Sequence, residues 1–149
     1  EPTAGVDPKA RRDFWDEIHR LAAHGISVLV STHYMDEAER CHRLAYIARG
    51  KLLATGTARE VVESQHLSAW SIAGPDPQAV AERFRGTPGV ENVTAFGTTL
   101  HVIGRDAAAL EQAIRSAALG EAYTADRIAP GLEDVFISLM GTLDAEVVP

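Results

Sequence analysis

Glu1, Gly5, Asp7 and His33 are the residues near the start of the chain whose types and order could do chemistry. They fall in three short segments: Glu1-Pro2-Thr3, Ala4-Gly5-Val6-Asp7-Pro8 and Ser31-Thr32-His33. His33 follows Ile26-Ser27-Val28-Leu29-Val30, a run apolar nearly throughout, which is the pattern of a parallel strand covered on both faces. The C-terminal end of such a strand is where open α/β sheets place ligand-binding side chains. The plain alternatives are a histidine leaving a strand end with no role, or one partly buried in the core. Asp7 before Pro8 is a strong helix start, because its side chain accepts from the exposed amides of the first turn and Pro at the first helical position loses no hydrogen bond. Gly5 permits a sharp turn ahead of it. For Glu1 the plain alternative is a solvated terminal glutamate.

Metal and thiol chemistry fit these residues poorly. His19, His24, His33 and His42 share no H-x-x-x-H spacing, and His33 with Asp36 and Glu37 lacks the partners that would close a zinc site. Cys41 is the only cysteine, so no internal disulfide forms, and the chain reads as made for a reducing compartment. It lies in a helical stretch and reads as a small buried residue rather than a nucleophile.

The elements that would position these residues follow from periodicity. After Asp7-Pro8 a helix is predicted with Phe14, Ile18, Leu21 and Ala22 on its buried face and Gly25 as its C-terminal cap. The strand at 26–30 comes next, then a helix over Met35–His42 and two strands, Arg43–Ala48 and Leu52–Thr55, turning at Gly50-Lys51. Thr57 caps a short helix through Ser64, and the composition changes over Ser64–Ser68, which places a domain boundary between 66 and 67. Beyond it the predicted order is a strand at 67–73, a helix at 76–84, strands at 89–95 and 98–104, a helix at 106–117, a strand at 121–128 and a last helix at 131–140. That is β-α-β-β-α-β plus one helix, the split β-α-β plan with two helices on one face of an antiparallel sheet.

Composition narrows the function classes. With 149 residues, 46% hydrophobic and 23% charged, the chain is an ordinary globular one with room for one or two small cores. The net charge of −7 would repel a phosphate backbone, so nucleic acid is not expected as a partner. The acidity is uneven: residues 1–66 carry nine Lys/Arg against ten Asp/Glu, and residues 67–149 carry five against eleven. No apolar run approaches the roughly 20 residues a membrane span needs. The start at Glu1-Pro2-Thr3, without Met or a signal pattern, is expected to be a cut.

Taken in order, the three segments resemble the end of the Walker B motif, the D-loop and the H-loop of ABC-type ATPases. The resemblance continues through Tyr34-Met35-Asp36-Glu37-Ala38-Glu39 and Arg49-Gly50-Lys51-Leu52-Leu53-Ala54-Thr55-Gly56-Thr57, which are similar to the drug-exporter branch. The tail from Pro130 to Gly141 is similar to the end of the accessory domain on many exporter-type subunits, although alone it is an amphipathic helix with Leu132, Val135, Phe136 and Leu139 as its stripe.

The resemblance implies an α/β first part, residues 1–66, with a partial P-loop NTPase-type parallel sheet, and an α+β ferredoxin-like accessory domain at 67–149. It implies that Glu1 is the general base that polarises the attacking water, following an Asp that serves Mg²⁺, and that His33 is the switch histidine at the γ-phosphate. Gly5 and Asp7 match the D-loop that crosses the interface between two nucleotide-binding domains. The implied partners are a membrane-spanning permease subunit and a second copy of the ATP-binding subunit, at the cytoplasmic face of the cell membrane.

ATP and Mg²⁺ are the cofactors this implies for the intact protein; none is expected bound to this stretch alone. No G-x-x-x-x-G-K-[ST] loop, signature segment or glutamine loop occurs in the sequence, and Gly50-Lys51 lacks the spaced upstream glycine. The isolated chain is therefore expected to be inactive and, with the strand at 26–31 lacking its neighbours, to self-associate. The alternative function is a non-catalytic regulatory or dimerisation module carried by residues 67–149.

Overall fold

The computed structural model describes residues 1–145. Two compact units divide them, Glu1–His42 and the stretch from Arg43 onward.

In the first unit, α1 (Pro8–Ala23) starts as the sequence requires: Asp7 accepts from the Lys9 and Ala10 amides, each at 3.0 Å, with Pro8 just inside. It ends where Gly25 takes φ +84° and its amide returns to the Ala22 carbonyl at 3.0 Å. The fully buried side chain on α1 is Trp15, whereas Phe14, Ile18, Leu21 and Ala22 are half-buried. The buried face thus centres on Trp15, with Arg11, Phe14, Ile18, Leu21 and Ala22 half-buried, and burying the indole removes about 200 Å² of mainly apolar surface, worth roughly 5 kcal/mol. A single helical turn, α2 (Met35–Ala38), closes the unit.

The strand predicted at 26–30 does not form, and with it the parallel sheet is withdrawn. Residues 26–32 carry no ladder, and Leu29 is 98% exposed, with Ile26 and Val28 also in the open. The physical reason is that no strand of this unit lies beside the segment among the described residues, so an apolar pattern that suits a covered strand has nothing to pair with.

The second unit opens with a hairpin, β1 (Leu44–Ala48) and β2 (Lys51–Gly56). Arg49 and Gly50 form its turn, both at positive φ (50° and 74°), as a two-residue hairpin loop demands. The turn therefore sits one residue earlier than Gly50-Lys51. In α3 (Ala58–Ser64), Thr57 accepts from the Glu60 amide while the Glu60 carboxylate accepts from the Thr57 amide, a reciprocal capping box.

Then follow β3 (Ser68–Ala73), α4 (Pro77–Phe84), β4 (Asn92–Phe96), β5 (Thr99–Gly104), α5 (Ala107–Ser116), β6 (Thr124–Ile128) and α6 (Leu132–Ala145). Asp76 caps α4 and Asp106 caps α5. The four strands are antiparallel throughout, in the order β4-β5-β3-β6. The structure is thus α+β, with two antiparallel sheets.

Ile72, Val80, Phe84, Leu100, Val102, Leu110 and Ile114 join the sheet to α4 and α5 in one core. On the opposite face of β5, His101 Nδ1 meets Asp134 of α6 at 3.0 Å. Gly104 and Gly89 pass so closely that a Cβ on Gly104 would lie 2.1 Å from the Gly89 carbonyl oxygen.

The structural division at His42/Arg43 precedes the hairpin, whereas the sequence boundary lies at 66/67. The hairpin and α3 belong with the second unit because Tyr46 meets Phe136 edge-on at 5.0 Å and α3 packs on α6. Among the described residues no helix is long and apolar enough to cross a membrane.

Candidate functional site

The first unit brings Glu1 and His33 into contact: His33 Nδ1 lies 2.6 Å from Glu1 Oε1. An ionised carboxylate has no proton to donate, so Nδ1–H donates, which leaves Nε2 of a neutral ring as an acceptor and the second Glu1 oxygen outside this bond. Both side chains are about half exposed, so water reaches the pair and screens its charges. The imidazole is backed by the Tyr34 ring, centroids 4.1 Å apart, and the Arg11 guanidinium carbon lies 4.7 Å from the centre of that ring on its face.

Two consecutive turns, Glu1 carbonyl to Ala4 amide and Thr3 carbonyl to Val6 amide, fold the first segment back. Gly5 completes them at φ +71°, a conformation that suits glycine. Asp7 spends its side chain capping α1 and makes no contact with the Glu1–His33 pair.

Behind the pair lies a residue that periodicity did not single out. Glu37 is fully buried, and its two oxygens accept from two threonines: Thr3 Oγ1 at 2.5 Å on Oε1 and Thr32 Oγ1 at 2.8 Å on Oε2. Arg11 Nε stands 3.4 Å from Oε1, an ion-pair distance rather than a well-formed hydrogen bond. Burial would push the Glu37 carboxyl up, but the hydrogen bonds of Thr3, Thr32 and Trp15 and the Arg11 charge outweigh it and hold it below its ordinary value. The Trp15 indole N–H contributes as a nearby dipole without meeting full hydrogen-bond geometry. Thr32 Oγ1 also accepts from the Tyr34 amide at 3.1 Å, which fixes the backbone on both sides of His33.

The donor set does not match a magnesium nucleotide. Mg²⁺ takes near-octahedral oxygen ligands, usually one or two carboxylates with phosphates and water, and Glu1 with one imidazole does not make such a set. The backbone amides that would cradle phosphates in a glycine-rich loop have no counterpart in the sequence. Among the described residues no group of three or more His, Cys, Asp or Glu side chains could hold a metal ion.

No protein-family model matches the chain. Among curated proteins it is similar to the Nod factor export ATP-binding protein I of Burkholderia thailandensis, with 36% identity over 143 residues, covering 95% of this chain and 45% of that protein. The protein of the same name from Paraburkholderia xenovorans is 37% identical over the same share of each. The probable multidrug ABC transporter ATP-binding protein YbhF of Escherichia coli (strain K12) is 54% identical over 57 residues, which are 38% of this chain and 10% of that protein. The chain therefore belongs to the family of ABC transporter ATP-binding proteins. It spans a little under half the length of the Nod factor export relatives it matches.

Proposed function

We propose that residues 1–66 are the C-terminal part of an ABC nucleotide-binding domain and residues 67–149 an accessory ferredoxin-like domain, together the C-terminal part of a subunit whose ATP hydrolysis energises an exporter. In this reading Glu1 is the general base for the attacking water, His33 contacts the γ-phosphate, and Gly5 and Asp7 lie in the D-loop at the interface with a second copy. ATP and Mg²⁺ are gripped by segments that this chain does not contain, so the isolated chain neither binds nor hydrolyses ATP. The working partners are a membrane-spanning permease subunit and a twin ATP-binding subunit, at the inner face of the cell membrane.

The observation that supports this reading most is the 2.6 Å contact between Glu1 and His33, an acid and an imidazole drawn from distant segments to one point. General acid–base help of this kind is worth about 10²–10⁴ in rate. Steady-state ATP turnover by the full-length protein tests it: Glu1→Gln and His33→Ala should each nearly abolish turnover. A second reading, residues 67–149 as a non-catalytic regulatory or dimerisation module, draws support from the self-contained core around Phe84 and Leu100. Unchanged turnover in both variants would favour it.

A further inference from the structure

We propose that Glu37 is a positioning residue that sets the geometry of Glu1 and His33 by clamping the two backbone segments that carry them. The inference rests on the reading of Glu1 and His33 as the hydrolytic pair. Thr3 stands two residues after Glu1, and Thr32 immediately precedes His33. The hydroxyls of both threonines donate to one carboxylate, one to each oxygen. Neither segment belongs to a helix or a ladder: residues 1–6 are turns and coil, and residues 26–34 have no strand pairing. Without regular structure to register them, the side-chain bridge through Glu37 is the buried connection between them.

The chemistry of the clamp is strict. A fully buried carboxylate is tolerated only when its oxygens are hydrogen-bonded and its charge is met, here by two hydroxyls and the Arg11 guanidinium. Arg11 also faces the Tyr34 ring that backs His33, so the same cation touches both the clamp and the wall of the site. Asp36 and Glu39, its acidic neighbours in sequence, are exposed, so burial singles out Glu37. A helix of one turn holds it there, anchored by the Ala38 and Glu39 amides on the Tyr34 and Met35 carbonyls at 3.1 and 3.0 Å.

The test is ATP hydrolysis by the full-length protein, read as kcat and KM separately. Glu37→Gln should lower kcat about ten- to a hundredfold, the scale of a misplacement near 1 Å, with KM for ATP changed less than about twofold. Thr3→Val with Thr32→Val, a milder change that keeps the carboxylate, should lower kcat similarly, and Thr32→Ser should recover much of the loss seen in Thr32→Val. Because Glu37 acts through the pair, adding Glu37→Gln to Glu1→Gln should cost less than the product of the two single losses. Wild-type kcat in Glu37→Gln, or a loss that multiplies with that of Glu1→Gln, would overturn the proposal. Full turnover in Glu1→Gln alone would instead sink the reading of the pair, so the two failures are told apart.

Discussion

His33 Nδ1 rests 2.6 Å from Glu1 Oε1, although the two residues lie 32 positions apart and no strand ladder joins their segments. Side chains hold the pair together, and the Thr3–Glu37–Thr32 bridge carries that work, with Thr3 and Glu37 buried and Thr32 half-buried. Side-chain networks of this kind respond to pH and to single-atom changes in ways that backbone ladders do not.

Acid should loosen the first unit. The carboxyl of Glu37 is held below its ordinary value in the fold, so its contribution is present above the unfolded value near 4.5 and is lost as pH falls through the lower folded value. Trp15 fluorescence, compared with that of a Trp70→Phe variant to isolate its signal, should report this loss below about pH 4.5. In Glu37→Gln the same signal should be nearly flat across that window, and an unchanged acid transition would contradict the assignment.

The second unit should reject any side chain at Gly104. A Cβ there would meet the Gly89 carbonyl oxygen at 2.1 Å, and backbone cannot swing aside as the end of a flexible side chain can. Gly104→Ala is expected to cost at least about 2 kcal/mol by denaturant unfolding. A substitution within 0.5 kcal/mol of wild type, roughly the scatter for neutral surface changes, would show that the two segments part easily.

Tyr46 offers the opposite case. Its hydroxyl is buried without a hydrogen-bond partner among the described residues, and burial pushes its titration up to about 12. Tyr46→Phe removes the unsatisfied group while keeping the edge-on contact with Phe136, so stability should hold or rise by about 1 kcal/mol. A clear loss in urea unfolding would reveal a polar contact to that oxygen.

Self-association is expected through the segment at 26–30, whose Leu29 is 98% exposed. An unpaired, exposed apolar stretch invites pairing with another chain. Light scattering on the isolated chain should give a mass above the monomer's 16.0 kDa, and Leu29→Lys should bring it down. A clean monomer at all concentrations would count against this expectation.

Much of the second unit was legible because its signals are local. Asp76, Asp106 and Thr57 cap the helices they precede, and Gly97, at φ +59°, turns between β4 and β5. The strand at 26–30 was not legible, because an apolar run reports what a strand would bury and not whether a neighbour is there to pair with it. On α1 the residues of the expected face, Phe14, Ile18, Leu21 and Ala22, are half-buried, but the fully buried Trp15 does not show in the period because the position one turn before it is an arginine, Arg11. Glu37 escaped for a related reason: a one-turn helix has no periodicity, and an acid beside Asp36 and Glu39 reads as solvated until its burial is seen. The ordered motifs single out Glu1 and His33, which the structure brings into contact, but the Thr3–Glu37–Thr32 network lies in residue types the motifs do not specify.

The most direct measurement is single-turnover ATP cleavage by full-length Glu1→Gln, with ATP affinity measured beside it. The account predicts affinity within about threefold of wild type and cleavage slowed by at least about 10²-fold, since only the proton transfer from water is removed. Cleavage at the wild-type rate, with the nucleotide bound, would contradict it.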